Sequence, residues 1–441
     1  MSEFQPLYTA EEMKAAEAGH DVEALMDRAG GAVAAIVGRD YPGARVVAVC
    51  GKGANGGDGR IAAKNLGAEV VEVGAELPQA EVIIDAIFGT GFHGEPREEA
   101  ARSINAIRSA NVPVVAVDVP SGVNASTGEV AGVSVEATTS VTFHGEKVGL
   151  AVAPGSLRTG GVELVDIGLE RAETEHALVT SEIVRRLPAR RRDGNKYRSG
   201  SVLVVGGAPG LTGAVSLASE AAFRADAGYV TVCVPRESLQ VVELGLLEAV
   251  KRPLEEASEA AERAGALALG PGLGRGGEAK QLVRSLLEET DLPAVVDADA
   301  LFGFEPVERK APLVLTPHSG ELAHLLDVET TWVDAHRLEA VHRALERFNC
   351  VVLLKGNDTI VGAPAARTLI SVGTPRLATA GTGDVLTGIV GAFLAKGMDA
   401  QLAAATAARA HADAALAAPH GRGLIASDVI AQLPGVLDAA L

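Results

Sequence analysis

Short runs of β-branched and aliphatic residues recur along this chain, each followed by an interval with helical spacing or a cluster of glycines. In the first half they are RVVAVC (45–50), AEVVEV (68–73), EVIIDAIF (81–88), VPVVAVDV (112–119) and TTSVTF (138–143). A strand that is apolar on both faces must be covered on both, and parallel strands need a crossover segment to bring the chain back. The pattern predicts a parallel sheet between two helical layers, a three-layer α/β sandwich. A second set follows: SVLVVGG (201–207), YVTVCVP (229–235), ALALGPGLG (266–274), PAVVDADAL (293–301), APLVLTPH (311–318) and CVVLLKG (350–356), before the chain closes in Ala-rich helices. At 441 residues the chain exceeds one ordinary domain. The stretch ERAETEHALVTSEIVRRLPARRRDGNKYRSG lacks a core pattern, so the boundary is expected near residue 172, dividing the chain into 1–172 and 173–441. Within it Arg185, Arg186, Arg190, Arg191 and Arg192 read as a solvated linker and helix edge, with a phosphate-facing role as the alternative.

Composition excludes some classes of function. A formal charge of −18 argues against nucleic acid, whose phosphates are bound through Lys and Arg. No apolar run approaches the ~18 residues a membrane span requires, and MSEFQPLYTAEEMKAAE has no apolar signal segment. A cytoplasmic protein acting on small molecules is expected, without membrane or nucleic-acid partners. Cys50, Cys233 and Cys350 stand singly at the edges of strand-like runs and read as buried small hydrophobes. Thr9 and Glu12 form a capping-box pattern that starts a helix.

Three loops at predicted strand ends carry the chemistry of the first half. CGKGANGGDG (50–59) fits a dinucleotide-binding turn at Gly51, Gly53 and Gly56, but holds the polar Asn55 and Asp58, where a dehydrogenase turn usually has small residues. DAIFGTGFHGE (85–95) puts Asp85 in a strand before a flexible loop, and AVDVPSGVNASTG (116–128) puts Asp118 near a strand end, ahead of Ser121. In a parallel sheet such ends converge on one crevice, where ligands of open α/β folds bind.

In the second half, TAGTGDVLTGIVGAFLAKG (379–397) sets Asp384 in a glycine-rich helix start. Free backbone N–H groups there receive an anion, and a neighbouring carboxylate accepts a hydroxyl proton, as phosphoryl transfer to a hydroxyl needs. VVLLKGNDTIV (351–361) ends a strand at Lys355, with polar loop residues through Gly356, Asn357 and Asp358 to Thr359 that suit nucleotide phosphates. LTPHSGEL (315–322) brings His318 and Glu321 to another strand end, and GGAPGLTGA (206–214) and LGPGLG (269–274) are further glycine-rich loops.

Taken in order, GKGANGGDG, DAIFGTG, AVDVPSGVNASTG and VTFHGEKVGL resemble the motifs of the NAD(P)H-hydrate epimerase domain, a Rossmann-like fold, over most of residues 10–170. The resemblance implies hydrate contacts from Ala54, Asn55, Gly56, Gly57, Asp58, from Gly89, Thr90, Gly91, Phe92, His93, Gly94, Glu95, and from Asp118. It implies a potassium ion on Asn55, Asp85 and Ser121, oxygen donors that suit a hard cation. Ala54 departs from the family, which has a second asparagine there. Asp118 is the candidate for proton transfer as the C6 hydroxyl leaves and returns, and Lys147 either faces a phosphate or lies on the surface.

Residues 195–435 resemble the ribokinase-like fold and, more narrowly, the ADP-dependent NAD(P)H-hydrate dehydratase. That likeness implies hydrate contacts from Ala214, Gly272 and His318, adenine nucleotide on Lys355, Gly356, Asn357, Asp358, Thr359 and Gly383, and Asp384 as catalytic base. KGNDT replaces the family's Lys-Gly-Ala-Gly-Thr, so a bulkier and more acidic nucleotide loop is expected. ADP, with ATP as the second choice, would phosphorylate the C6 hydroxyl with Mg²⁺, and expulsion of phosphate would restore NAD(P)H. A homo-oligomer is the expected assembly. Two other readings stay open: an NAD-dependent oxidoreductase, and a small-molecule kinase with an N-terminal dinucleotide-binding module.

Overall fold

The computed structural model describes residues 2–190 and 199–439. One compact unit comprises Pro6–Ala177 with Asp334–His336, and the other Met1–Gln5, Leu178–Val333 and Arg337–Leu441.

In the first of these, β1 (Val46–Cys50), β2 (Glu69–Glu72), β3 (Val82–Ala86), β4 (Val114–Val117), β5 (Thr139–Phe143) and β6 (Gly161–Val165) lie in the order β2-β1-β3-β4-β5-β6. Every pairing is parallel. The alternation of the strands sorts their side chains to two faces. Ala48, Cys50, Ile84, Ala86, Val115 and Val117 pack with Val33 and Val37 of α2 (Val22–Asp40) and Ala62 and Ala63 of α3 (Ala54–Leu66). Val49, Ile83 and Val114 face Ile104 and Ile107 of α4 (Glu98–Ala110). Helix α1 (Ala10–Glu17) starts at the predicted Thr9–Glu12 capping box.

The second unit contains β7 (Ser201–Val205), β8 (Tyr229–Val234), β9 (Val250–Pro253), β10 (Ala266–Leu269), β11 (Ala294–Val296), β12 (Leu313–Leu315), β13 (Val351–Leu354), β14 (Asp358–Gly362) and β15 (Thr368–Val372) in the order β9-β8-β7-β10-β11-β12-β13-β14-β15. Pairs from β9 to β13 are parallel, whereas β13–β14 and β14–β15 are antiparallel. The sequence pattern does not predict β9, β14 or β15. VVLLKGNDTIV holds a strand, a tight return and a second strand, because Val352 pairs with Gly362 and Leu354 with Ile360. Helices α5 (Thr212–Arg224), α6 (Ser319–Leu326), α7 (Arg337–Phe348) and α8 (Thr382–Ala395) flank this sheet. Apolar side chains surround α8, which crosses α5 closely: a Cβ at Gly388 would stand 2.0 Å from the carbonyl oxygen of Ala218.

In the segment between the two strand sets, Arg185, Arg186 and Arg190 pair with Glu182, Glu3 and Asp226 and have largely exposed side chains, the solvated arrangement expected of them. Arg191 and Arg192 lie outside the described residues. Among the described residues no helix is long and apolar enough to cross a membrane.

Candidate active sites

β1 runs into the turn Gly51–Gly53, and α3 begins at Ala54 with its first N–H groups uncapped by any side chain. Two of the three fingerprint glycines answer to the protein's own backbone. A Cβ at Gly51 would lie 2.1 Å from the carbonyl oxygen of Ile87, and one at Gly56 would lie 2.0 Å from that of Gly51, while Gly53 faces open space. A cleft of about 940 Å³ opens beside this turn, its walls including Lys52, Ala54, Asn55, Gly89, Thr90, Gly91, Phe92, His93 and Glu95. The rings of Phe88 and Phe92 stack at 4.4 Å and stiffen the Gly89–Gly91 wall. Of the residues expected to contact ligand, Gly56, Gly57, Asp58, Gly94 and Asp118 are not in these walls.

Asn55, Asp85 and Ser121 form one hydrogen-bonded group beneath the cleft. The Asn55 amide donates to the carbonyl of Phe88 (2.8 Å), and the Phe88 N–H donates to Ser121 Oγ (2.9 Å). Asp85 accepts from the Ser121 hydroxyl (2.6 Å), the Ser121 N–H (2.8 Å) and the Ile87 N–H (3.3 Å). Asp85 is fully buried on the Ile83 side of the sheet; burial raises its carboxyl to about 6 against the lowering effect of these donors. A buried carboxylate held by neutral donors, with the Ser121 hydroxyl on it and the Asn55 amide joined to it through the Phe88 backbone, supplies the oxygen types that fit a monovalent cation.

Asp118 follows β4 at a left-handed φ of 68°. Its Oδ1 accepts from Thr142 (2.9 Å) and pairs with Lys147 Nζ (2.6 Å); the same ammonium donates to Thr142 Oγ1 (3.0 Å) and to the carbonyl of Phe143 (2.8 Å). Lys147 has no exposed surface, which corrects the expectation that it lies on the surface or faces a phosphate. Asp58 and Glu17 complete the group. Burial, then the charges of Asp118 and Glu17, push the Asp58 carboxyl up to about 8; burial and Asp118 raise Glu17, against Lys147.

In the second unit Asp384 lies in the first turn of α8, after Gly381 at a φ of 88°. The loop is closed by the Thr382 hydroxyl, which donates to the carbonyls of Leu377 (2.8 Å) and Thr379 (2.9 Å). Below it Lys355 Nζ pairs with Asp297 Oδ1 (2.7 Å) and approaches Glu321 Oε2 (3.6 Å), and the Thr387 hydroxyl donates to Asp297 Oδ2 (2.5 Å). A Cβ on Gly383 would stand 3.5 Å from the Lys355 ammonium, so the predicted anion turn, lysine and base share one site. Burial raises the Asp384 carboxyl to about 6, helped by Asp297 and opposed by Lys355. Burial works against the Lys355 charge, but Asp297, Glu321 and Asp384 hold its affinity for a proton above the ordinary range. Asp297 is absent from the residues the motifs single out. Its signal was an acidic residue at the end of an apolar strand, PAVVDADAL, the same placement that marked Asp118.

His318 caps α6. Its Nδ1 accepts from the N–H groups of Gly320 (3.0 Å) and Glu321 (3.3 Å), and its Nε2 lies 3.6 Å from Glu321 Oε1 on an exposed side chain. Gly272, at a φ of 58°, packs its Cα against Leu211 and Ala214, which places both expected hydrate contacts on one wall. The expectation for Asp358 is corrected. Its carboxylate turns inward to Arg337 Nε (3.0 Å), both side chains being buried, and Arg337 also donates to the carbonyls of Asp358 (3.0 Å) and Lys355 (3.3 Å). KGNDT therefore presents no extra negative charge to a nucleotide, because Arg337 neutralises it. Replacing Asp358 by Ala strands the Arg337 charge and lowers unfolding free energy in urea by about 3–5 kcal/mol. The double replacement Arg337→Met with Asp358→Leu recovers most of that loss.

One unit with a parallel sheet and a buried carboxylate–lysine pair, and another with a glycine-rich turn over a lysine, together define a two-site nucleotide-handling α/β protein. The family pattern described as NAD(P)H-hydrate dehydratase matches residues 202–434, and that described as YjeF-related protein N-terminus matches 22–80 and 70–149. The bifunctional NAD(P)H-hydrate repair enzyme Nnr of Moorella thermoacetica is 37% identical over 94% of this chain and 92% of its own length. That of Escherichia coli is 33% identical over 94% and 89%. The chain belongs to the family of bifunctional NAD(P)H-hydrate repair enzymes. Among solved structures, the ADP/ATP-dependent NAD(P)H-hydrate dehydratase of Bacillus subtilis, co-crystallised with ATP and Mg²⁺, matches with a TM-score of 0.55 and 28% identity over 59% of this chain and 98% of that one. A ribokinase-like superfamily protein of Enterococcus faecalis shares the fold at a TM-score of 0.54 and 23% identity, over 62% of this chain and 98% of that one.

Proposed function

We propose that this chain repairs hydrated NADH and NADPH in two reactions. Its first unit equilibrates the R and S hydrates, and its second dehydrates the S form at the expense of ADP. The observation that carries the reading is the Gly381–Asp384 turn set over the Lys355–Asp297 pair. Asp384 would take the proton of the C6 hydroxyl as it attacks the terminal phosphoryl group, and the turn's N–H groups and Lys355 would hold the developing charge. Phosphate would then leave with the electron pair of the C6–O bond as the ring nitrogen's lone pair forms C=N, and loss of a proton from C5 would restore the C5=C6 bond and the nitrogen lone pair. His318, Ala214 and Gly272 would seat the hydrate. Asn357 and Thr359 would flank the nucleotide. Mg²⁺ would enter with the nucleotide, held mainly by its phosphates.

In the first unit the cleft beside Asn55 and Gly89–His93 would take the body of the dinucleotide, its hydrated ring would reach past the cleft walls to Asp118, and Asp118 would receive a proton as the hydroxyl leaves and returns. Potassium would sit on Asn55, Asp85 and Ser121, where it would supply positive charge next to a buried carboxylate. Raising K⁺ from nominal absence to about 100 times its dissociation constant, against tetramethylammonium, stabilises the protein by about 2.7 kcal/mol in thermal melts. Asp85→Asn abolishes the difference. The decisive assay incubates the protein with mixed R and S NADH hydrates, ADP and Mg²⁺ and follows the absorbance of the reduced ring. Return of both forms is the expected result; return of the S form alone sinks the epimerase half.

A further inference from the structure

The carboxyl of Asp58 caps no helix, and one of its oxygens makes no hydrogen bond. It lies in the second turn of α3, beyond the capping positions, and the helix has no side-chain cap. The residue is 9% exposed, and its Oδ1 is buried without a hydrogen-bond partner. The charged groups about it are the carboxylates of Asp118 and Glu17. On the side of α2, the contact is backbone: a Cβ on Gly30 would lie 2.7 Å from the Asp58 carbonyl oxygen. Lys147 is spent elsewhere, on Asp118, Thr142 and the carbonyl of Phe143. Two carboxyl groups thus share one site with opposite provision. Asp118 has an ammonium partner and a hydroxyl donor, whereas Asp58 has carboxylate neighbours. An unpaired buried carboxyl beside like charges keeps its proton, and a proton with no acceptor in the protein is available to a ligand.

We propose that Asp58 is the proton donor of the epimerase site, acting with Asp118 as the acceptor. The inference rests on the epimerase reading above and adds a catalytic role for a residue so far taken only as a contact. In the forward step the Asp58 proton moves to the C6 hydroxyl oxygen, the C6–O bond breaks with its electron pair going to oxygen, and water departs. The lone pair of the ring nitrogen forms the C=N bond that replaces it. Water then adds to the opposite face of C6, regenerating the nitrogen lone pair, and gives its extra proton to the Asp118 carboxylate. Transfer of that proton from Asp118 to Asp58 restores the starting state, so R becomes S with nothing consumed.

The test is the pH profile of R-to-S conversion, corrected for the uncatalysed rate, in the full chain and in Asp58→Asn and Asp58→Glu. The unaltered protein should lose kcat/KM as pH rises through about 8, where the Asp58 carboxyl gives up its proton. Asp58→Asn should lower kcat at least 10²-fold with KM within about threefold, and remove the alkaline limb. Asp58→Glu should recover part of the rate and the limb. Dehydration of the S hydrate with ADP by the same preparations, unchanged within twofold, reports that the chain is folded. An Asp58→Asn protein that raises KM at full kcat, or that keeps the alkaline limb, overturns the assignment in favour of a simple contact. Failure of the unaltered protein to equilibrate the hydrates overturns the epimerase reading and this role with it.

Discussion

An Asp384→Asn chain is expected to dehydrate the S hydrate about 10²–10⁴-fold more slowly than the unaltered protein, the range lost with a positioned general base, while equilibrating R and S hydrates at the same rate. The amide keeps the shape of the turn at the start of α8, but it cannot accept the hydroxyl proton. Single-turnover absorbance recovery measures the effect, and a variant that dehydrates normally sinks the assignment. The pH dependence has a definite sign. The rate requires the ionised carboxylate, so in the unaltered protein dehydration declines as pH falls through about 6. Stability runs the other way. The folded-state value lies above that of an ordinary aspartate, so burying this carboxylate is a cost, fully present above about pH 6 and absent below about pH 4. Asp384→Asn should therefore gain about 1–3 kcal/mol in urea unfolding at pH 7.5 and nothing at pH 4. Loss of activity with a gain in stability separates a catalytic carboxylate from a structural one.

Lys147→Met should abolish epimerisation at neutral pH and destabilise the protein by about 3–5 kcal/mol. Asp118→Asn should do the same in both respects, because either change leaves one buried charge without its partner. The double variant Asp118→Leu with Lys147→Met should recover most of the stability, since an apolar pair of similar volume replaces a buried ion pair at little net cost. It should recover none of the epimerase activity. The readouts are urea unfolding and the rate at which pure R hydrate becomes a substrate for the dehydratase reaction. A double variant that still epimerises removes Asp118 from the mechanism. Dehydration of pure S hydrate should persist in all three variants.

The elements that were legible are those whose signal is local. The strands Val46–Cys50, Val82–Ala86 and Ser201–Val205 are visible because a strand buried on both faces is apolar at every position. Asp118 and Asp384 are visible because glycine, proline and serine punctuate the turns that carry them. The hairpin Asp358–Gly362 with Thr368–Val372 is hidden, because Asn357, Asp358 and Thr359 look like one polar loop when nothing reports the ladder. Lys147 shows the same limit in a site residue. A lysine beside Glu146 looks solvated until β5 and the turn after β4 carry Thr142 and Asp118 to its ammonium.

By itself the sequence determined two parallel-sheet units, the loops at their strand ends and the chemical types gathered in those loops, since apolar period and turn chemistry are properties of neighbouring residues. Which charges meet was decided by the tertiary structure alone. Asp297 reaches Lys355 across 58 positions and Thr387 across 90, and Asp118 meets its ammonium only because parallel strands deliver their ends to one edge of the sheet. Pairing of buried charges depends on distances of a few ångströms through a medium that screens poorly, and no spacing along the chain encodes such a distance. That is why the loop chemistry of GKGANGGDG is legible along the chain while the surroundings of Asp58, Lys147 and Asp358 waited on the fold.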